Sequence, residues 1–376
     1  MGQVWPLTGG VEELQLIQAA MPRRAEGSRG VVLAGAAGVG KTRLAREALA
    51  LAKSRGAMIR WATGTASAHE LPLGAFASLL GRLEGDPAQV LAQASKALLA
   101  GGDGGEVVLG VDDAHLLDET SALLVHQPVL DRAVTLVITV RTRERTPDAV
   151  TVLWKDGHLE RLEVGPLSEP ETAALLEAVP GRQMDSVSAA GMWVLANGNA
   201  LFLRQLVDGE LESDHLRLVD GVWRWSGTPA VSAELIELVD TRMGQLSDPV
   251  GQIVDVLAFG EPLGVSVLTA LTDAASVEQA ELRGLVSVER DGRRLHTRLA
   301  HPLYGEVRRA RAGQYGPGGY GAVSPKPSAT PAPAARMTPC AVRYSRWIPN
   351  SRRIRTCSLP RPGTLPGYLI SRSPPG

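Results

Sequence analysis

The sequence predicts an α/β chain: a parallel sheet with helices on both faces, followed by further helices and a small hairpin-bearing unit. Three observations predict it. Short, wholly apolar runs, Val31–Ala34 and VTLVITV at 134–140, read as buried parallel strands. Stretches of helical spacing separate the runs, so strands and helices alternate. One apolar run leads straight into a glycine-rich turn that opens a helix, at Gly35–Thr42.

In chain order, VEELQLIQAAM at 11–21 predicts a helix, Val31–Ala34 a strand, and Lys41–Lys53 a helix. Met58–Trp61 is a second strand, and Ala75–Leu83 and Ala88–Leu99 read as helices. Val107–Val111 is a strand, Leu117–Val125 a helix, and Val134–Val140 and Leu159–Val164 are strands. After Pro166 helices are expected at 169–178, 186–196 and 200–208. LRLVDGVWRW at 216–225 then signals a hairpin about Asp220-Gly221. From 231 to 311 four helices precede a second hairpin about Asp291-Gly292 and a last helix opened by His301-Pro302, which suggests a winged-helix unit. The expected division is 1–166, 167–229 (a helical lid), 230–312 and 313–376.

All 40 acidic residues precede Val307, whereas 12 of the 39 basic residues follow Glu306, leaving 27 basic residues and a net charge of −13 in 1–306. The folded part therefore makes a poor general nucleic-acid surface. The tail is basic, holds 12 of the 25 prolines from Gly313 onward, and is expected to be disordered. Both cysteines, Cys340 and Cys357, lie in it, so no disulfide framework holds the rest. No apolar run approaches the roughly 18 residues of a membrane span, and no signal pattern opens the chain, so a cytoplasmic protein is expected.

Gly35-Ala36-Ala37-Gly38-Val39-Gly40-Lys41-Thr42 matches G-x-x-x-x-G-K-[ST], the P-loop. Glycines let the backbone curl so that its N–H groups face phosphates, and the helix behind presents its positive end there. Lys41 reaches the β- and γ-phosphates, and Thr42 offers its hydroxyl to Mg2+. VVLGVDDAH at 107–115 has the form of a Walker B strand: Asp112 holds the metal and Asp113 polarises the attacking water. The bland alternative is a pair of carboxylates capping the next helix. His115 either orients Asp113 or caps a helix. Arg141 ends the strongest strand and either points into the ligand crevice, sensing the γ-phosphate, or is a solvated charge of RTRER. His301 alone reads more readily as structural than as a ligand.

Taken together, WPLTGGVEEL, GAAGVGKTRLAREAL, VVLGVDDAHLLD, LVITVRTRE, LANGNALFLRQL and RLAHPLYGEV resemble signal-transducing NTPases with numerous domains (STAND), and more narrowly the large ATP-binding LuxR-type transcriptional regulators related to the maltose regulator. The resemblance covers about residues 3 to 311. It implies a switch that holds ADP when closed, exchanges it for ATP on meeting a small-molecule or protein inducer, self-associates when open, and resets by slow hydrolysis. It makes Arg141 the sensor arginine, places Asn199-Ala200-Leu201 in the lid, and sets His301 on the nucleotide phosphates; Arg43, next to Thr42, is counted with the nucleotide-binding loop residues. ATP over GTP comes from the resemblance alone. Two departures stand out: Gly9-Gly10 replaces an expected Gly-Arg, and the helical repeats and helix-turn-helix domain do not follow. The abrupt change near Arg311 reads as a shifted frame or truncated gene, and no specific DNA binding is expected. Two other functions fit the motifs: a nucleotide-locked interaction module with negligible turnover, and an AAA+ type motor.

Overall fold

The computed structural model describes Trp5 and residues 11–20, 29–100, 106–179, 183–292 and 294–312. Gly9-Gly10 and the tail with its cysteines lie outside these residues.

Helix α1 (Val11–Ala20) leads to strand β1 (Gly30–Gly35), helix α2 (Lys41–Ser54) and strand β2 (Met58–Thr63). A single helical turn, α3 (Ala66–His69), and a 3-10 turn at Gly74–Phe76 precede α4 (Pro87–Leu99). Then come β3 (Val107–Asp112), α5 (Glu119–Leu130), β4 (Thr135–Arg141), α6 (Asp148–Lys155) and β5 (Glu160–Glu163). The five strands are parallel, in the order β2-β3-β4-β1-β5.

Alternation along β1 explains the layers. Val31 and Leu33 pack with Ile17 of α1 and with Leu44, Ala48 and Leu49 of α2. Val32 and Ala34 face the opposite way, into a cluster with Leu98 of α4, Leu124 of α5 and Leu153 of α6. Both faces are covered, as a parallel sheet requires. The sheet is thus the α/β fold of P-loop NTPases, as the sequence predicts.

The second half comprises α7 (Glu169–Ala178), α8 (Ser186–Ala196), α9 (Ala200–Glu212) and the hairpin β6 (Leu216–Val219) and β7 (Val222–Trp225). Asp220 and Gly221 turn that hairpin with φ of 53° and 83°, the left-handed pair that a two-residue turn needs. Helices α10 (Ala233–Met243) and α11 (Asp248–Gly260) follow, then β8 (Leu263–Gly264), α12 (Val265–Leu271), α13 (Ala274–Leu282), β9 (Val286–Asp291), β10 (Arg294–Leu299) and α14 (Pro302–Arg311). Strands β8, β10 and β9 form a small antiparallel sheet, completing the winged-helix order of elements. One apolar cluster joins everything from Leu167 to Val307.

Local expectations fail in several places. Ala75–Leu83 is not a helix. Leu73 takes a φ of 59° and is buried with Phe76, while the Leu73 N–H donates to Asp118 at 3.3 Å, so tertiary burial overrides the local pattern. The helix expected from Leu117 starts at Glu119, because the Asp118 carboxylate caps it by accepting from Ser121 N–H at 2.9 Å, and it runs on to Leu130. Helix α9 extends past 208 to Glu212. Helix α6, only 8 residues long, was not anticipated.

Candidate functional site

The strand order builds the site. In parallel sheets ligands bind beyond the carboxyl ends of the strands. Here β4 lies between β1 and β3. The ends of these three neighbours carry the P-loop, Arg141 and Asp112-Asp113, so three motifs far apart in sequence converge. Gly35 pairs in register with Arg141.

The loop crosses from β1 to α2 with Gly38 and Gly40 at φ of 81° and 101°, where a side chain is strained. A Cβ on Gly38 would lie 2.5 Å from the Asn199 side-chain oxygen. Gly38→Ala is therefore expected to destabilise the fold by about 1–3 kcal/mol, read as a lowered thermal midpoint. An unchanged midpoint would mean that Asn199 does not pack on the loop. Val39 is buried beneath the loop, whereas Arg43 points outward along α2 and pairs with Glu47 at 2.7 Å.

Lys41 is 6% exposed and folds back on its own loop, donating to the Gly35 and Ala36 carbonyls at 3.0 and 2.8 Å. Burial pushes its ammonium below the usual lysine range, opposed by the nearby Asp113 and Asp112. An anion entering the loop would bring a charge partner within direct reach of this ammonium.

Asp112 is held from two sides. Its Oδ1 accepts the Thr42 hydroxyl at 2.8 Å and the Thr139 hydroxyl at 2.6 Å. Thr139 in turn accepts the Asp113 N–H at 2.8 Å, so one hydroxyl of β4 fixes both aspartates. Thr42 and Asp112 thus meet as a pair of hard oxygen donors, a set that fits Mg2+ held mainly by phosphates and water. Thr139 went unnoticed in the sequence. Its signal was a polar residue inside VTLVITV, fully buried in the structure.

Asp113 sits at φ 48°, ψ 48°, a left-handed conformation that turns its carboxylate away from the strand. Its oxygens lie 3.8 Å from Arg141 and 3.9 Å from His115. Asp113 stands at the start of the 3-10 turn Ala114–Leu116 but its carboxylate makes no capping bond there, whereas the Asp118 carboxylate caps α5. The His115 side chain is buried in a 3-10 turn, with neither ring nitrogen hydrogen-bonded among the described residues. Burial lowers its pKa, so the imidazole behind Asp113 is neutral near pH 7.

The helical units close over the loop. Asn199 caps α9, accepting from Leu201 and Phe202 N–H groups, and its side-chain amide donates to the Ala37 carbonyl at 2.9 Å. Leu201 N–H donates to the Gly38 carbonyl at 3.1 Å. From α10, Arg242 donates to the same Ala37 carbonyl, also at 2.9 Å. Sequence reading missed Arg242, which lies 205 positions from its partner on a solvent-facing helix surface.

His301, assigned to phosphates through the resemblance, uses both ring nitrogens on backbone. Nδ1 accepts from Leu303 N–H at 3.2 Å and caps α14; Nε2 then carries the proton and faces the Ala196 carbonyl at 3.2 Å. The ring packs on Phe202, centroids 4.5 Å apart. From this unit it is Arg242, rather than His301, that touches the loop.

Burial depresses the His301 pKa to about 4. The unfolded chain therefore binds this proton more readily, and stability present above about pH 6.5 is lost as pH falls toward 4. The loss is expected to reach roughly 3 kcal/mol, and His301→Asn, which keeps a capping side chain, should flatten it in urea titrations across that range. A wild-type pH profile as flat as the variant's would refute this.

Residues 6–134 match the family model described as AAA ATPase domain. The match spans the P-loop and the Walker B strand and ends just before β4. With the sheet order and the loop geometry, it makes this part of the chain an AAA-type, nucleotide-binding P-loop ATPase domain. Among solved structures, the RuvB Holliday junction branch migration motor of Thermotoga maritima is similar at 15% identity and a TM-score of 0.41, covering 77% of this chain and 91% of that one. Drosophila ORC bound to DNA is similar at 13% identity and a TM-score of 0.37, covering 81% and 96%. Both likenesses are distant, and no DNA transaction is carried over from them. No curated protein matches the chain significantly. No helix among the described residues is long and apolar enough to cross a membrane.

Proposed function

We propose that this chain is an ATP- and ADP-binding switch of the STAND, LuxR-type regulator kind, turning ATP over slowly with Mg2+. The observation that carries the reading is the Ala37 carbonyl, which accepts from Asn199 of the lid and Arg242 of α10. The loop that would hold phosphates is thereby tied to both units that follow it. Filling or emptying the loop has a direct mechanical path to the rest of the chain.

In this mechanism Lys41 leaves its loop carbonyls for the β- and γ-phosphates. Thr42 and Asp112 would hold Mg2+, which when bound neutralises phosphate charge. Thr139 keeps the Asp112 carboxylate aimed and fixes the Asp113 backbone. Asp113 accepts the proton of the attacking water, and Arg141 stabilises charge at the terminal phosphate. The inducer, a small molecule or a protein, acts on the closed state, and the opened chains self-associate.

Phosphate release by the full-length chain tests this. Magnesium-dependent release, lost in Lys41→Ala and Asp113→Ala, is expected. Tightly held nucleotide without release would instead make the chain a locked interaction module. A ring that assembles only with ATP would make it a motor.

A further inference from the structure

Arg242 is exposed at the end of α10, yet its guanidinium is held on three sides. Nη1 donates to the Ala37 carbonyl at 2.9 Å, Nε to the Tyr304 hydroxyl at 3.2 Å, and the group lies 5.3 Å over the Phe202 ring. Tyr304 of α14 and Phe202 of α9 are both buried, so the arginine is an arm fixed at its base and aimed at the loop crest. Its own helix does not need it: α10 buries Leu235, Val239 and Met243 on another face. Asn199, which shares the carbonyl, is by contrast tied up in capping α9.

We infer that Arg242 is a positioning residue that clamps the P-loop crest to the winged-helix unit and so sets how fast the loop opens. A charged donor on a carbonyl makes a stronger bond than a neutral one, and the planar guanidinium reaches two separated acceptors from different nitrogens, where a lysine ammonium donates from a single nitrogen. The clamp needs no ligand. Its effect on nucleotide exchange rests on the nucleotide reading above: bound nucleotide leaves only when Arg242 lets go.

Hydrogen exchange on the full-length, nucleotide-free chain tests the clamp. Arg242→Ala is expected to speed exchange about tenfold in peptides covering residues 35–44 and 301–311, with β3 and β4 unchanged. Arg242→Lys should keep part of the loop's protection while α14 loosens as in the alanine variant. Tyr304→Phe should loosen both segments less than Arg242→Ala does. An unchanged loop, or a uniform rise that includes β3 and β4, would overturn the clamp. A second readout follows fluorescent ADP. Arg242→Ala is expected to release it about tenfold faster, with single-turnover hydrolysis of bound ATP unchanged; equal release rates, or equal losses in release and hydrolysis, would also overturn the inference. A wild-type chain that binds no fluorescent ADP would sink the nucleotide reading, while the exchange experiment would still decide the clamp.

Discussion

Lys41→Ala lowers ATP affinity at least about a hundredfold while the chain stays folded. Hydrogen bonds from a charged donor to a charged acceptor are worth about 1.5–3 kcal/mol, and in the proposed complex this ammonium would face two phosphates. The neighbouring cations hold other positions: Arg141 lies 3.8 Å from Asp113 at the end of β4, and Arg43 pairs with Glu47 along α2. The fold should tolerate the loss to within about 1 kcal/mol, because the bonds broken are two to its own loop and a buried, poorly compensated charge disappears with them. Calorimetric titration with ATP and magnesium checks the affinity, and a thermal melt checks the fold. A folded variant that binds as tightly as the wild type would remove Lys41 from the site.

Asp113→Asn lowers the turnover number by about a thousandfold with nucleotide affinity changed less than about threefold. A general base contributes on the order of 10² to 10⁴, and the amide cannot take the water's proton. Asparagine is the right substitute because, like aspartate, it tolerates the left-handed backbone at φ 48°, so a loss cannot be ascribed to strain. The Asp113 N–H bond to Thr139 survives as well. Single-turnover hydrolysis beside equilibrium binding separates the two effects. Equal losses in both would make Asp113 a binding group, and no loss in either would leave the base unassigned.

The sheet and its motifs were legible for a physical reason. Strands buried on both faces must be apolar throughout, and a turn that cradles phosphate must be glycine-rich, so β1, its loop and β3 announce themselves locally. The hairpin at Asp220-Gly221 is legible in the same way, since left-handed turn geometry restricts residue type. What failed was decided by distant contacts. Ala75–Leu83 reads as a helix, but the burial of Leu73 and Phe76 sets the turn that takes its place. Helix α6 is too short to show a period, and it follows the charged run that contains Arg141. Arg242 and Thr139 act through partners that no local window contains, although a hydroxyl inside an apolar strand was a usable hint for Thr139. His301 shows a limit of a different kind. The resemblance gave its position, but only the structure shows that both its nitrogens are engaged by backbone.

The most direct test of the central claim is to purify the full-length chain, denature it, identify any released nucleotide by chromatography, and titrate the emptied protein with ATP and magnesium. Stoichiometric ADP, or saturable ATP binding that disappears in Lys41→Ala, is the predicted result. A folded chain that carries no nucleotide and takes up none would contradict the account, leaving a P-loop intact in sequence and geometry without its ligand.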